Sequence, residues 1–264
     1  IGDIPIMLVA HLDTVHKYPL ESLFFDREKK VLWSPEGLGA DDRAGVVSIM
    51  SIISKGLRPH VLFTTDEEVG GIGACMAVLG ISEAPDIKYI IELDRNGSRD
   101  CVFYDDGNEE FEKYIEKFGF ITADGSFSDI SVLCPKWGIS GVNLSIGYYS
   151  EHTKCEYLKL DEMEWSIRKV IEMLDDCDNI NKFEYKEKDI PKYSFGLNLC
   201  GTSEYNNSMK YYDNTICDHC FSIIPWGLSI SHDGNTYCSK CFSSLFSACA
   251  ECKQIFESND KSIL

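Results

Sequence analysis

The sequence predicts an α/β fold, a three-layer αβα sandwich with a mostly parallel central sheet, followed by a small second domain. Two observations support this fold class. Between residues 4 and 146, short apolar runs rich in β-branched side chains alternate with longer segments of helical period, which is typical of βα units whose sheet is covered on both faces. With 264 residues and 44% hydrophobic composition, the chain is long enough for one full core and one small appendage.

The apolar runs and the helical segments predict the following elements. The predicted strands cover residues 6–10, 60–64, 89–93 and 142–146, with two less regular strands near Val31 and Val102. The predicted helices cover residues 44–54, 73–79, 109–118, 129–134 and 161–174. We predict that residues 1–178 form the first domain, that the polar residues 179–214 form a linker or an extended arm, and that residues 215–256 form the second domain.

The composition limits the partners and the compartment. Acidic residues outnumber basic ones by 43 to 25, and a formal net charge of −18 repels nucleic acid and anionic lipid, so we expect no nucleic acid and no membrane as partners. The sequence has no apolar run near the roughly 20 residues that span a bilayer, and its opening lacks a basic segment followed by a cleavable apolar one. These features predict a cytoplasmic protein. Because the chain opens in a strand without Met, we expect residues before it.

Two residues at the end of the first predicted strand are candidates for metal chemistry. His11 and Asp13 are two positions apart, and side chains at that spacing point to the same face of a strand. The imidazole can then bind a metal while the carboxylate holds the orientation of the ring. A core histidine with a structural partner is the alternative, and the pair alone does not exclude it.

Acidic residues follow at two further places. The segment GLGADDRAG places Asp41 and Asp42 in a tight turn before a predicted helix, where Asp41 could bridge two cations and Asp42 could cap the helix; capping alone is the simpler interpretation. In VLFTTDEEVGGIGA, three acids including Glu67 and Glu68 follow a buried strand, at the edge where open α/β sheets bind ligands. A solvated acidic loop is the alternative, but such crowded negative charge favours a cation.

Two more candidate ligands complete the pattern. Asp94 ends the apolar strand in IIELDRNG, and His152 lies in the loop after the last predicted strand. Five potential ligands therefore lie at strand ends or in the loops that follow. Imidazole nitrogen with carboxylate oxygen suits zinc, with cobalt or manganese as alternatives.

These motifs together resemble the catalytic domain of the co-catalytic dinuclear zinc exopeptidases. That superfamily includes the bacterial leucyl-type aminopeptidases, peptidase T and the acetylornithine deacetylase and carboxypeptidase relatives. The matching motifs run in family order over about residues 6–174: HLDTV, GLGADDRAG, TTDEEVGGIGA, ELDR, FSD and GYYSEHT. The resemblance implies a metallopeptidase catalytic domain in residues 1–178, two zinc ions (or cobalt or manganese), and a peptide or N-acyl amino-acid substrate.

The resemblance also implies which residues bind the metals. Asp41 bridges both ions, His11 and Asp94 complete one site, and Glu68 and His152 complete the other.

Two carboxylates are left for catalytic roles. Glu67, free of metal, acts as the general base that takes a proton from the metal-bridging water and passes it to the leaving nitrogen. Asp13 joins the catalytic set through His11.

The sequence departs from the family pattern in two ways. Deacetylase and carboxypeptidase relatives insert a lid and dimerisation domain after the Asp that corresponds to Asp94, whereas only 34 residues separate Asp94 from Asp129 here. This spacing favours the lidless aminopeptidase branch. In addition, only one strand precedes His11, although the family usually has a helix and further strands there.

Residues near the predicted site allow two interpretations each. Ser128 and Asp129 either line the substrate pocket or cap a helix. Tyr148 and Tyr149 either line the pocket, orient an oxyanion or pack in the core. Arg95 pairs either with a substrate carboxylate or with Glu92. His16 and His60 are interpreted as surface or core histidines, and the cysteines outside the tail as buried apolar groups.

The cysteine tail predicts structural zinc. Four thiolates form a strong zinc signature: Cys217 and Cys220, then, after seventeen residues, Cys238 and Cys241. Disulfides are the alternative, but they fit less well with a chain in which we see no export signal. A third pair, Cys249 and Cys252, resembles the middle of a LIM-type double finger and adds ligands for a second zinc, completed by residues beyond 264 or by His219, His232 or Asp260. Residues 215–264 contain three lysines, no arginine and five acids, which favours a protein partner over DNA.

The sequence therefore predicts a dinuclear zinc-dependent exopeptidase, most consistent with an aminopeptidase. A lidless amidohydrolase, deacylase or carboxypeptidase of the same superfamily is the alternative within the enzymes. An inactive, peptidase-like zinc-finger binding protein is the alternative from another class.

Overall fold

The computed structural model describes residues 2–81 and 83–188 without a break. In the C-terminal part it describes residues 215–216, 219, 223–224, 230–232, 235–237, 241, 245–248 and 255–257. The chain divides into two compact units, Ile1–Tyr193 and Ser194–Leu264. The domain boundaries given above stay a prediction.

The described part of the first unit contains ten strands, five helices and one short 3-10 turn. In chain order these are β1 (Ile4–His11), β2 (Phe24–Asp26), β3 (Val31–Trp33), α1 (Ala40–Ser54), β4 (Pro59–Thr64), α2 (Ile72–Gly80), β5 (Tyr89–Arg95), β6 (Asp100–Val102), α3 (Glu109–Glu116), β7 (Ile121–Thr122), α4 (Ile130–Trp137), β8 (Gly141–Ser145), β9 (Tyr148–Tyr149), β10 (Tyr157–Lys159), α5 (Leu160–Asp175) and the turn Cys177–Asn179.

The central sheet has six strands in the order β4-β1-β5-β8-β6-β7. The first four are parallel, β6 runs antiparallel to β8, and β7 is parallel to β6. The prediction of an α/β fold with a mostly parallel sheet is therefore confirmed. A smaller antiparallel sheet, β2-β3-β10-β9, was not predicted.

Helices cover the central sheet on both faces. Helices α1 and α5 contact each other and the strands β1, β5 and β8, while α2 and α4 form a second pair that contacts β4, β5 and β8. Side chains of β1 alternate between these layers: Ile6, Leu8 and Ala10 join the larger core cluster, whereas Met7 and Val9 are buried outside that cluster. Burial on both faces explains why the strands are continuous apolar runs.

Helix α5 shows how the pattern of apolar residues sets the packing. Its buried residues include Met163, Ile167, Val170 and Leu174, spaced as one face of a helix. The polar chain that follows continues on the same unit, since Phe183 is buried in the core cluster. Among the described residues, no helix is both long and apolar enough to cross a membrane.

Where it is described, the second unit contains three two-stranded antiparallel pairs. They are β11 (Thr215–Ile216) with β12 (Ile223–Ile224), β13 (Ile230–His232) with β14 (Asn235–Tyr237), and β15 (Phe246–Ala248) with β16 (Ile255–Glu257). Of the predicted zinc ligands, Cys241 is buried, and the others lie outside the described residues: Cys217, Cys220, Cys238, Cys249 and Cys252. The zinc finger therefore stays a prediction. Of the supplementary candidates, His219 is exposed, His232 ends β13, and Asp260 lies outside the described residues.

Candidate metal centre

The candidate ligands meet at the carboxyl edge of the central sheet. His11 is the last residue of β1, Glu67 and Glu68 lie in the loop after β4, and Asp94 lies near the end of β5. These three strands are parallel neighbours, so their carboxyl ends share one edge of the sheet. Asp41, at the start of α1, reaches the same place.

Two groups of side chains share the Asp41 carboxylate. In the inner cluster, formed by His11, Asp41 and Asp94, His11 Nε2 lies 3.0 Å from Asp41 Oδ1 and 3.5 Å from Asp94 Oδ1. In the outer cluster, formed by Asp41, Glu68 and His152, His152 Nε2 lies 3.1 Å from Asp41 Oδ2 and 2.8 Å from Glu68 Oε2. Within each cluster, one such atom from every residue lies within 4.8 Å of the others. Asp41 thus offers one oxygen to each cluster.

Asp13 connects the inner cluster to the loop after β4. Its Oδ1 lies 3.3 Å from His11 Nδ1. The same carboxylate accepts hydrogen bonds from the backbone N–H groups of Glu67, at 3.2 Å, and Glu68, at 3.3 Å. Asp13 therefore orients the His11 ring and holds the backbone that carries both glutamates, as outer-shell carboxylates do at metal sites.

A network of buried polar groups fixes Asp94. The Tyr148 hydroxyl donates to Asp94 Oδ1 at 3.1 Å, and the Ser128 hydroxyl lies 3.4 Å from Oδ2. Asn143 bonds the Asp94 backbone twice, accepting from its N–H at 3.0 Å and donating to its carbonyl at 2.8 Å. Ser128 also donates to the fully buried Glu92 at 2.5 Å. Tyr148 thus contacts a candidate ligand directly.

Asp42 caps helix α1. It is fully buried, its Oδ1 accepts from the Gly45 N–H at 2.9 Å, and its Oδ2 accepts from the His11 N–H at 3.3 Å. The Asp41–Asp42 peptide bond is cis. The two neighbouring aspartates therefore make different contacts: Asp41 lies near both histidines, whereas Asp42 accepts from the first turn of the helix.

The other residues considered from the sequence have different partners from those expected. Asp129 makes no capping bond through its side chain, which accepts from the Thr64 hydroxyl. Arg95 does not pair with Glu92; its guanidinium donates to the Asp124 carbonyl at 3.1 Å.

Two further expectations concern Tyr149 and the cysteines. The Tyr149 hydroxyl donates to Glu162 at 2.5 Å rather than to the clusters. Cys155 is exposed, which corrects the expectation of burial; the other described cysteines outside the tail are buried, namely Cys75, Cys101, Cys134 and Cys177.

The electrostatics of the site fit a bound cation. Burial raises the pKa of Glu67 to about 9, and the charge of Asp94 adds to this effect. Burial also raises the pKa of Asp94 to about 7, although its hydrogen bond with His11 opposes the rise. A nearby cation reverses such shifts because it favours the ionised form. Among the described residues, Glu68 Oε1 is buried without a hydrogen-bond partner, and the set of imidazole nitrogens and carboxylate oxygens suits zinc.

One residue of the site was missed from the sequence. Glu156 lies four positions after His152, is 1% exposed, and accepts a hydrogen bond from the Asp41 N–H at 2.9 Å. The available signal was an acidic residue between Cys155 and Tyr157, four positions after a predicted ligand. Its partners could not be inferred from the sequence, because they are two backbone groups 115 and 117 positions away and the His16 ring 140 positions away.

Comparisons with known proteins gave one family match and several similar structures. The profile of Peptidase family M28 matches residues 2–131. The structure of the aminopeptidase PepT from Bacillus cereus ATCC 10987 is similar with a TM-score of 0.54 and 17% identity, over 66% of this chain and 80% of that chain. A tripeptidase from Staphylococcus aureus subsp. aureus Mu50 is similar with a TM-score of 0.55 and 14% identity, over 68% of this chain and 83% of that chain.

At these identities the two structures establish a common fold and nothing finer. A search of curated protein sequences gave no match. The family match and the common fold support the dinuclear zinc exopeptidase superfamily, and the protein is a metal-dependent peptidase.

Proposed function

We propose that the protein is a dinuclear zinc aminopeptidase in which Glu67 is the general base. The observation that carries this proposal is the pair of clusters that share Asp41. A carboxylate with one oxygen 3.0 Å from one imidazole nitrogen and the other 3.1 Å from a second is suited to bridge two ions. Each ion would receive one imidazole and one further carboxylate.

These distances support the following ligand assignment. His11 and Asp94 would hold one ion, Glu68 and His152 the other, and Asp41 both. When bound, two zinc ions supply Lewis acidity, which makes a water molecule acidic near neutral pH and stabilises the oxyanion of the tetrahedral intermediate.

Glu67 would move the proton. Its backbone N–H donates to Asp13, which also contacts His11, and it directly precedes Glu68 of the outer cluster. A carboxylate there can accept the proton of the attacking water and give it to the leaving nitrogen of the peptide bond, a contribution of about 10²–10⁴-fold to the rate. Asp13 acts as a positioning residue, because it holds the Glu67 backbone and the His11 ring together.

The charge around the clusters supports recognition of a free amino terminus. Acidic side chains beside the candidate ligands, among them Asp13 and Glu67, would attract an α-ammonium group. A carboxypeptidase or a deacylase of amino acids needs a cation for the substrate carboxylate. Arg95, the candidate for that task, donates to the Asp124 carbonyl instead. The names of the neighbours, an aminopeptidase and a tripeptidase, agree with a peptide substrate.

The experiment is a substrate panel with the full chain loaded with Zn²⁺. Release of product is measured from aminoacyl, N-acyl and carboxy-terminal substrates by the wild type, by Glu67→Gln, and by Glu109→Gln, an exposed control in α3. We expect turnover on free amino termini, an activity loss of about 10²–10⁴-fold in Glu67→Gln with the metal content retained, and no loss in the control. Turnover only on N-acyl or carboxy-terminal substrates would replace the aminopeptidase assignment with a deacylase or a carboxypeptidase. No turnover on any substrate with metals bound would indicate a binding protein.

We also propose that the tail binds structural zinc through Cys217, Cys220, Cys238 and Cys241, with Cys249 and Cys252 as ligands of a second ion, and that this segment contacts a protein partner. The CxxC spacing supports this assignment. Metal analysis tests it: Cys217→Ser with Cys220→Ser should lower the zinc content of the chain by one ion while the catalytic pair stays bound. An unchanged zinc content would exclude a four-thiolate site there.

A further inference from the structure

Glu156 is a buried carboxylate with three hydrogen-bond donors. Its Oε1 accepts from the Asp41 N–H at 2.9 Å. Its Oε2 accepts from the Gly39 N–H and lies 3.2 Å from His16 Nε2. At 1% exposure, the carboxylate is shielded from water and depends on these donors.

The three donors belong to segments that carry candidate ligands. Gly39 and Asp41 form the turn that begins α1, and His16 lies five residues after His11 in the segment that leaves β1. Glu156 itself lies in the loop of His152, four residues further on. Through two backbone N–H groups and the His16 ring, this side chain therefore connects the segments that carry His11, Asp41 and His152.

The packing around Glu156 leaves these segments little freedom. A Cβ atom on Gly37 would lie 2.1 Å from the His16 ring, so the ring occupies the space that a larger residue would need. A Cβ atom on Gly39 would lie 2.7 Å from the Arg43 guanidinium and 3.0 Å from the Thr14 hydroxyl. Glycine at position 39, with a φ of +61°, therefore fits this crowded turn, in which the N–H groups of Gly39 and Asp41 both donate to Glu156.

We propose that Glu156 is a positioning residue that sets the place of the shared ligand Asp41, and with it the spacing of the two ion sites. The inference rests on the proposed ligand set. Asp41 directs one oxygen toward each histidine, so a displacement of its backbone changes both distances. The hydrogen bond from the Asp41 N–H to Glu156 connects that backbone to the His152 loop. Glu156 therefore couples the outer ligand to the bridging one without touching a metal.

The test is metal binding by the metal-free full chain, titrated with Co²⁺. Absorption of cobalt bound to nitrogen and oxygen is followed separately from the charge-transfer bands of cysteine-bound cobalt. Glu156→Gln keeps the shape of the side chain, but its amide group cannot accept from donors on both sides. We expect the affinity for the second ion to fall by about 10–100-fold, as for other outer-shell partners, with a lower kcat and a nearly constant KM.

A matched control separates positioning from general stability. Asp106 is another buried carboxylate, 3% exposed, and its Oδ1 accepts from the N–H groups of Asn108 at 3.0 Å and Lys186 at 3.1 Å. Asp106→Asn should lower the thermal midpoint of the metal-free chain and leave cobalt binding unchanged. If Glu156→Gln does not fold, Glu156→Asp and His16→Gln decide the question. Glu156→Asp keeps a carboxylate on a shorter side chain, and His16→Gln keeps Glu156 and changes only its third donor.

The outcomes separate this proposal from the proposed function. If the wild type binds no cobalt outside the cysteines, the ligand set itself is wrong. If the wild type binds two ions and the folded Glu156 variants bind both with equal affinity, the positioning role is wrong. If the variants only lose thermal stability, as Asp106→Asn does, Glu156 is a structural residue and the proposal is overturned.

Discussion

The inner and the outer cluster share one carboxylate but hold their histidines differently. His11 ends a central strand and its side chain is 0% exposed, whereas His152 lies in the loop between β9 and β10 and its side chain is 53% exposed. The His11 ring is oriented by Asp13, and the Asp94 carboxylate by Tyr148 and Ser128. The inner cluster is thus preorganised by the sheet, and we expect it to bind its ion more tightly and to exchange it more slowly.

The largest expected effect is that of the shared ligand. Asp41→Asn keeps the shape of the side chain but removes the charge that both clusters use. We expect the affinity for each ion to fall more than the 10–100-fold typical of outer-shell substitutions, with activity lost in parallel. Metal analysis after dialysis checks this. Retention of either ion at wild-type affinity would mean that the clusters do not depend on one carboxylate.

The next largest expected effect is a difference in metal binding between substitutions of the two histidines. His152→Ala should leave one ion bound near wild-type affinity, because the inner cluster lies on the central sheet. His11→Ala should weaken both ions and destabilise the fold by about 1–3 kcal/mol, because it leaves the buried Asp41 and Asp94 carboxylates without their partner. Metal stoichiometry and thermal unfolding measure the difference. Equal stoichiometry in the two variants would remove the distinction between the clusters.

The metal-free protein should lose stability as the pH rises. The raised pKa of Glu67, about 9, and of Asp94, about 7, means that the folded state binds more protons than the unfolded chain. This contribution is fully present below the unfolded values of about 4 and is lost as the pH rises through about 7 and then 9. Denaturant unfolding from pH 5 to 9, with and without Zn²⁺, checks the expectation. A similar loss in the metal-loaded chain would argue against metal binding at these carboxylates.

The smallest expected effect is a difference in metal affinity between substitutions of two neighbouring tyrosines. Tyr148→Phe removes a hydroxyl that donates to Asp94, which is worth about 0.5–1.5 kcal/mol, so the inner ion should bind about 2–10-fold more weakly and the outer ion unchanged. Tyr149→Phe is the control, because its hydroxyl bonds Glu162. Competition with a chelator gives both affinities. An equal effect of the two substitutions would show that the hydroxyl on Asp94 has no special role.

The sequence predicted the parts of the molecule in which local pattern decides. Asp94 and His11 follow apolar runs of β-branched residues, so their place at strand ends could be inferred before the fold was known. The small sheet could not, because β2, β9 and β10 are only two or three residues long and the β3–β10 pairing that joins its two halves spans more than a hundred positions of sequence. Glu156 was missed for the same reason. Two of its partners are backbone N–H groups in a distant turn, which leave no mark on the sequence, and the third is the side chain of His16, 140 positions away.

The small sheet has a consequence for how metal binding is transmitted through the protein. In the outer cluster, Glu68 follows strand β4 of the central sheet, whereas His152 lies in the connection between β9 and β10 of the small one. An ion in the outer cluster would therefore cross-link two sheets that the chain otherwise joins through loops and helices. Such a link protects the more weakly held element, because bound ligand opposes its local opening. Amide hydrogen exchange in β9 and β10 should slow on metal loading, while exchange in β1 and β5 stays as it was.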